Sequence, residues 1–356
     1  MNKSAPLMVE VSLGEGLDKL TILDIKLDKI SNEKKRAECQ KEYDTLYPVL
    51  KTSIEKCKFE YECLKYVNLQ IWNLQDDLRN NNKEIPNIMN VILDFNDMRY
   101  RLKKRINERA LSTLYEQKGY NEKVGLFVGN MGMGDLIHLN GAMRYASIQV
   151  DHLFVVCRKM YVDKLKTMIG DDTCIEIVPC ENHVNDVYEI KQRHEINGRK
   201  ITNWFISGNW LNWNREYKYF SIEFYEDLRF PLEVRKLFFH CNPVTDELPV
   251  PTIPYVFAHV TASDGKGISF ENPRNLLVID PNTNHYPEGH PYHELAKQYL
   301  DKDIFKYKSV IENAEEIHVT DSSFHCLTCY LKTKATVKNC YQRHTGNVYP
   351  PELAFQ

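Results

Sequence analysis

The sequence lacks any long hydrophobic run. No stretch approaches the roughly 20 apolar residues that a membrane-spanning helix needs. The first residues, MNKSAP, lead into the chain without the apolar core of a secretory signal. We therefore expect a cytoplasmic protein without a membrane span.

An excess of positive charge is also missing. The chain has 46 Lys and Arg against 49 Asp and Glu, which gives a formal net charge of −3. Dedicated nucleic-acid binders usually carry a strong basic excess, so we expect no nucleic-acid partner. One basic run lies between Arg99 and Arg105. It fits a solvated helix face, with a phosphate-rich partner as the alternative.

Cysteines at metal-ligand spacing are scarce. The ten cysteines are scattered, and only Cys326 and Cys329 form a close C-x-x-C pair. A zinc site would need a second pair or histidines at ligand spacing. We expect reduced thiols that pack on a helix face, and no metal.

Residues 1–119 have a helical pattern. Leu17, Leu20, Leu23 and Leu27 recur at spacings that largely fit one face of a helix. Three asparagines at 80–82 interrupt the pattern before it resumes. These features predict an all-helical first domain.

Residues 120–245 alternate between strand and helix patterns. Short apolar runs at 124–128, 152–156, 174–178 and 203–206 predict strands, and residues 136–146 and 161–169 predict helices between them. Alternation of this kind indicates right-handed βαβ units and a parallel sheet.

A second α/β unit follows a cluster of prolines. Prolines at 243, 249, 251 and 254 predict a hinge. Strand patterns then restart at 255–260, 276–279 and 316–320, with helical patterns at 304–312 and 323–331. The fold class is therefore predicted as α/β, with units at 120–245 and 246–356 behind the helical domain.

A glycine-rich turn connects the first predicted strand to its helix. Residues 129–135, GNMGMGD, have the spacing G-x-x-G-x-G, whereas the dinucleotide fingerprint is G-x-G-x-x-G. The acid expected after the second strand is replaced by Cys157-Arg158, and the Walker lysine is absent. These differences disfavour an oxidoreductase, an epimerase or an ATPase. A tight capped turn and a close approach to substrate both remain open.

Asp135 ends this turn. A carboxylate at a helix start can take a proton from a sugar hydroxyl as a general base, or it can cap the helix. Three neighbouring glycines leave room for a substrate, which favours the first role.

Three segments resemble glycosyltransferases of the GT-B type. Residues 132–138, GMGDLIH, with 140–144, NGAMR, resemble the first βα turn of heptosyltransferase-like enzymes. Residues 255–260, YVFAHV, and 314–324, AEEIHVTDSSF, are similar to two parts of their donor-binding half. The resemblance implies two Rossmann-like lobes and metal-independent transfer of a sugar from a nucleotide-sugar to a glycan or other hydroxyl acceptor. Asp135 would be the general base, and no cofactor would be needed.

The donor side is predicted to use hydroxyl groups and positive charge. Ser322 and Ser323 at a helix start suit phosphate, although plain capping is the alternative. His259 can contact phosphate or sugar, or be packed in the core. Lys266, or else Arg274, would hold the diphosphate, and a solvated turn is the alternative for Lys266. The predicted donor residues are His259, Lys266, Arg274, Asp321, Ser322 and Ser323.

The acceptor side is predicted to combine the glycine turn with aromatic rings. Tryptophans in the segment 204–213 can stack on sugars, with core packing as the alternative. The predicted acceptor residues are Gly132, Met133, Gly134, His138, Asn140, Trp210 and Trp213.

A second function remains open. The chain could be a non-catalytic nucleotide- or glycan-binding protein whose helical domain mediates assembly. Residues 9–26 are similar to an uncharacterised helical domain family of bacteria and viruses, which implies no chemistry. We expect a homodimer through this domain, with the nucleotide-sugar and the glycan acceptor as the other partners.

Overall fold

The computed structural model describes residues 9–80, 87–119, 121–130, 132–181, 184–211, 219–261, 265, 267–272 and 274–341. The chain divides into two compact units. The first comprises Met1–Lys123 with Ser147–Asp151, and the second comprises Val124–Ala146 with His152–Gln356. The predicted α/β class with parallel sheets behind a helical region is confirmed.

The first unit is built from long helices: α1 (Leu13–Lys29), α2 (Glu33–Lys56), α3 (Lys58–Asn80) and α4 (Ile88–Arg109). Its core lies between α1, α3 and α4, where Leu17, Leu64 and Ile106 are fully buried. Ser12 caps α1 by accepting a hydrogen bond from the amide of Glu15 at 3.3 Å. No residue of α2 is fully buried.

Three basic residues of the run in the first unit are occupied by internal ion pairs, whereas Lys104 is exposed. Arg99 pairs with Asp18, and the Arg101 Nε donates to Asp151 Oδ1 at 2.8 Å. The ammonium group of Lys103 lies 2.6 Å from Glu15 Oε1. These internal ion pairs correct the interpretation of the run as a solvated helix face. The acids that form them lie in distant segments of the sequence, so no local pattern indicates the pairing.

The second unit begins with a parallel sheet. Its chain runs through β1 (Val124–Val128), α5 (Met133–Ser147), β2 (His152–Arg158), α6 (Val162–Ile169), β3 (Ile175–Cys180), α7 (Asn185–Gln192), the hairpin β4 (Glu195–Ile196) and β5 (Arg199–Lys200), β6 (Asn203–Ile206), α8 (Phe220–Leu228) and α9 (Val234–Leu237). The strand order is β3-β2-β1-β6, and all three pairings are parallel.

A second parallel sheet follows. Its elements are β7 (Tyr255–His259), β8 (Leu277–Ile279), α10 (His293–Lys297), α11 (Lys308–Asn313), β9 (Glu316–Thr320), α12 (Ser323–Thr328) and β10 (Val337–Tyr341). The order is β10-β9-β7-β8, again with parallel pairings.

The central strands of the two sheets are buried on both faces, which explains the nearly continuous apolar sequences of β1 and β7. Every residue of β1, β7 and β9 is buried, as expected for strands of a parallel sheet covered by helices. On one face of β1, Val124, Leu126 and Val128 pack with Val187 and Ile190 of α7.

Each sheet contains a point where the direction of winding reverses. In the first sheet the chain places β2 and β3 on one side of β1 and β6 on the other. In the second sheet, β8 lies on one side of β7 and β9 on the other. Connections that leave neighbouring strands in opposite directions open a crevice at the carboxyl ends of those strands, where ligands of open α/β sheets bind. One crevice lies at the carboxyl ends of β1 and β6. The other lies at the carboxyl ends of β7 and β9.

Across the part of the chain that the structure describes, no helix is both long and apolar enough to cross a membrane.

Candidate functional site

Asp135 lies in the turn that follows β1. It is the third residue of α5, and the helix is capped by Gly132, whose carbonyl oxygen accepts from the amide of Leu136 at 3.0 Å. The amide of Gly132 donates to Asp135 Oδ2 at 3.2 Å. The carboxylate therefore satisfies a free amide at the helix start from inside the first turn, which corrects the predicted N-cap position.

The protein environment makes Asp135 a stronger base than an ordinary aspartate. Burial raises its pKa to about 6, and the hydrogen bond from Gly132 offsets part of that effect. The residue is only partly buried, so a ligand can reach it. A carboxylate with this pKa is ionised at neutral pH and suited to accept a proton.

The turn after β9 provides a second polar group of residues. Asp321 is buried directly after the strand, and Ser322 precedes α12. The Ser322 hydroxyl oxygen lies 3.0 Å from Nδ1 of His259, the last residue of β7. Three predicted donor residues thus meet at the reversal point of the second sheet.

Asn282 determines the direction of that hydrogen bond. Its side-chain nitrogen donates to the carbonyl oxygen of Thr261 at 2.7 Å, which fixes the orientation of the amide. The same nitrogen lies 3.2 Å from His259 Nε2, which must then accept. A neutral His259 therefore carries its proton on Nδ1 and donates it to Ser322, so the hydroxyl hydrogen of Ser322 is left for a ligand.

Sequence reasoning missed the residues that follow β8. Asp280 Oδ1 accepts from the amide of Asn282 at 2.9 Å, and Asp280 Oδ2 lies 3.0 Å from His285 Nε2. Asp280 is almost completely buried. The available signal was the polar run DPNTNH directly after an apolar strand pattern.

The turns after β1 and β9 are in contact. A Cβ atom on Gly134 would lie 2.9 Å from Cys326 Sγ and 3.8 Å from Ser323 Cα. The missing side chain of Gly134 thus makes room for α12 of the second sheet, where sequence reasoning expected room for an acceptor. The contact places Asp135, the next residue, beside the turn that carries Ser322 and Ser323.

Several predicted acceptor residues are occupied by the protein itself. His138 is fully buried, with Nδ1 2.7 Å from the Tyr330 hydroxyl. The buried amide of Asn140 donates to the carbonyl oxygen of His240 at 2.9 Å and accepts from its amide at 3.0 Å. These contacts correct the predicted acceptor roles of both residues. Met133 is buried as well.

Trp210 does not form a sugar platform. It is 7% exposed and packs in the core of the first sheet with Val187, Ile190 and Ile196. Core packing was the alternative interpretation, and it holds here. Trp213 and Lys266 lie outside the described residues.

Arg274 is not near the other predicted donor residues. Its guanidinium pairs with Glu316 at 2.7 Å and with Glu315 at 3.0 Å. Glu316 is the first residue of β9, whereas Ser322 lies two residues beyond its last residue. At roughly 3.3 Å per strand residue, about 13 Å of strand separates the two ends. Arg274 belongs to the amino edge of the sheet, where its charge is already paired.

The C-x-x-C pair has a packing role. Cys326 lies against Gly134, and Cys329 Sγ lies 3.6 Å from His325 Nε2. Burial raises the pKa of the Cys329 thiol to about 12, which disfavours the thiolate that a metal or a nucleophilic reaction requires. Among the described residues, no three His, Cys, Asp or Glu side chains are grouped as metal ligands.

One family model matches the first part of the chain. Residues 7–131 match the family described as "Family of unknown function (DUF6165)". That match covers the helical region and β1. None of the curated proteins matches the chain.

Solved glycosyltransferases show a distant similarity. One is the bacterial iron-containing dodecameric glycosyltransferase TibC from enterotoxigenic E. coli H10407, with 14% identity, a TM-score of 0.40, and coverage of 68% of this chain and 66% of that one. The heptosyltransferase TibC in complex with ADP-D-beta-D-heptose gives 13% identity, a TM-score of 0.40, and coverage of 67% and 64%. The family 9 glycosyl transferase from Veillonella parvula DSM 2008 gives 8% identity, a TM-score of 0.30, and coverage of 62% and 86%. This chain spans just under two thirds of the TibC chains.

Proposed function

We propose that this protein is a glycosyltransferase of the GT-B type that moves a sugar from a nucleotide-sugar to a hydroxyl of a glycan or other acceptor, without a metal. The observation that carries the proposal is the contact between Gly134 and Ser323. It brings together the reversal points of two parallel sheets, each the usual ligand-binding edge of such a sheet. A transfer reaction has two substrates, and two ligand-binding edges that face each other could hold one substrate each.

Residues 246–356 would form the donor lobe. A departing nucleoside diphosphate needs hydrogen-bond donors and positive charge. His259 donates to the Ser322 hydroxyl oxygen, which leaves the hydroxyl hydrogen for a ligand, and Ser323 is the next residue. We assign both serines to the diphosphate, with Lys266 as the proposed source of positive charge.

Residues 120–245 would form the acceptor lobe, with Asp135 as general base. As the acceptor oxygen bonds to the anomeric carbon, its proton passes to Asp135 and the bond from that carbon to the diphosphate breaks. The pKa of about 6 suits this proton transfer near neutral pH. Close packing of the two turns would help to exclude water, which otherwise hydrolyses the donor.

A non-catalytic nucleotide- or glycan-binding protein is the alternative. The hydrogen-bonded pair of Ser322 and His259 is equally suited to binding a phosphate group without any reaction. The helical region at 1–119 would then serve assembly. We retain a homodimer through this region, and a cytoplasmic location, as proposals under either function.

A thermal-shift screen tests the donor site. UDP, GDP, CDP, ADP and their sugars are added to the full-length protein, and the melting temperature Tm is measured. A ligand at about 100 times its Kd stabilises the folded state by about 2.7 kcal/mol. We expect one nucleotide to raise Tm clearly in the native protein and much less in the double variant Ser322→Ala, Ser323→Ala.

Arg274→Ala is the control for that screen. It breaks the ion pairs with Glu315 and Glu316, so Tm without ligand should fall while the nucleotide-dependent rise persists. No response to any nucleotide, or an equal response in the serine variant, would remove the proposed donor site.

A further inference from the structure

Arg235 is a buried cation outside the proposed reaction centre. It lies on α9 and is 4% exposed. The backbone of α9 is pressed against α5, since a Cβ on Gly141 would lie 2.7 Å from the carbonyl oxygens of Val234 and Arg235. This close contact fixes the position from which the Arg235 side chain extends.

Among the described residues, no counter-charge is paired with the guanidinium of Arg235. Its Nε and Nη1 are buried and donate to no acceptor among the described residues, and no described carboxylate pairs with it. Arg144 offers a direct contrast. It is 2% exposed, and its guanidinium pairs with Asp171 at 2.6 Å. Two arginines of similar burial thus differ in whether their charge is matched.

The titratable neighbours of Arg235 are held neutral. Burial lowers the pKa of His138 well below its usual value, and nearby His325 and Arg235 lower it further. Burial raises the pKa of Cys329 to about 12 and that of Tyr330 well above its usual range. Burial lowers the pKa of His325 to about 4.

Other charged groups near this cluster do not neutralise Arg235. Asp321 acts on His325, whose pKa it raises slightly against the effect of burial. Lys236 adds a second positive charge near Cys329. The titratable groups on which Arg235 acts, His138, Cys329 and Tyr330, are therefore neutral at pH 7, and the nearby acid Asp321 acts on His325 instead.

The guanidinium of Arg235 cannot remove its unmatched charge by losing a proton, because arginine stays charged in proteins. An isolated buried charge is strongly unfavourable. A buried water can accept its hydrogen bonds but supplies no negative charge. The planar array of N–H donors matches phosphate and carboxylate groups in particular.

We propose that Arg235 is the centre of a binding site for a small oxyanion, a phosphate or carboxylate group, enclosed by His138 of α5 and by Tyr330, which follows α12. The bound group would be held by residues associated with both sheets. His138 lies one helical turn along α5 from Asp135, so the site adjoins the proposed reaction centre. It goes beyond the proposed function and does not depend on sugar transfer.

Thermal unfolding with matched variants tests this site. Tm of the full chain is measured in chloride buffer and, at constant ionic strength, with inorganic phosphate or acetate. Without an oxyanion, we expect Arg235→Met to melt roughly 2–4 °C above the native protein, because an unmatched charge is removed. Arg144→Met, which leaves the partly buried Asp171 without its cation, should melt below it.

Added phosphate or acetate should raise Tm of the native protein and leave that of Arg235→Met unchanged. The more effective anion identifies the group that the site prefers. Arg235→Lys keeps the charge and loses the planar donors, so its response should be smaller. An Arg235→Met protein that is less stable than the native one, or fails to fold, would overturn the proposal. Equal anion responses in the two proteins would overturn it as well.

Discussion

Asp135 differs from the paired carboxylates in that no cation among the described residues acts on it. Burial alone would raise the pKa of Asp171, but the pairing with Arg144 brings it below its usual value. Asp135 has only the Gly132 amide to oppose burial, and its pKa rises to about 6. Asp171 is thereby held as a permanent anion, whereas Asp135 can exchange a proton near neutral pH.

The pH dependence of activity follows from this pKa. The base must be ionised, so activity is present above its pKa and is lost as the pH falls through it. We predict that kcat/KM for sugar transfer falls tenfold per pH unit below about 6, whereas an ordinary aspartate at about 3.9 would leave it flat there. A profile that stays flat from pH 7 to pH 4.5 would exclude Asp135 as the base.

Asn282 acts through the tautomer of His259. Asn282→Asp preserves shape and replaces the amide donor with an acceptor, so the His259 proton should move to Nε2. Nδ1 would then accept from Ser322, and the hydroxyl hydrogen would no longer point to a ligand. We predict a nucleotide Kd roughly tenfold higher, the scale of a lost hydrogen bond to a charged group.

Nitrogen-15 NMR of the imidazole rings reads that tautomer directly, with His259→Gln identifying the signal. The native ring should be protonated at Nδ1 and the Asn282→Asp ring at Nε2. Weaker nucleotide binding without a tautomer change would mean that Asn282 acts only through packing.

At the scale of helices and strands, the contact between α5 and α12 brings the two halves of the proposed active site together. Gly134 allows it, because any side chain there would meet Cys326. The two residues are far apart in the sequence, so no local pattern reveals their contact. The sequence indicated that the backbone at the glycines is closely approached. It did not indicate that helix α12 is the group in contact there.

A double-mutant cycle tests this contact. Gly134→Ala should destabilise the native protein by about 1–3 kcal/mol, the usual cost of overpacking. In the Cys326→Ala background the new methyl group loses its closest neighbour, and its next contact, Ser323 Cα at 3.8 Å, is an ordinary one. Denaturant unfolding should therefore show a much smaller loss in that background. Equal losses in both backgrounds would mean that the two turns do not touch.

Sequence patterns predicted the strands that are buried on both faces. Continuous apolar runs such as VGLFV and YVFAH identify β1 and β7 because few other elements bury every residue. β10, with the sequence VKNCY, escaped prediction because none of its residues is buried and it mixes polar with apolar residues. Arg274 lies shortly before β8 in the sequence, and a residue before a strand lies at the amino edge of a parallel sheet, away from the ligand-binding edge.

At the scale of the molecule, the second unit combines two parallel sheets whose reversal points meet at one contact. Asp135 stands on one side of this contact, and Ser322 with His259 on the other. The first unit supplies none of these residues, and three residues of its basic run are occupied by internal ion pairs. Catalysis and any assembly role would therefore reside in separate units.

The most direct measurement is sugar transfer by the native protein and by Asp135→Asn, using the nucleotide-sugar that the thermal-shift screen identifies. The asparagine keeps the shape of the side chain and cannot accept the proton, so we predict that the rate falls by roughly a hundredfold or more. The nucleotide Kd should stay unchanged. Unaltered turnover in the variant, or nucleotide binding without any turnover in the native protein, would contradict a transferase that uses this carboxylate.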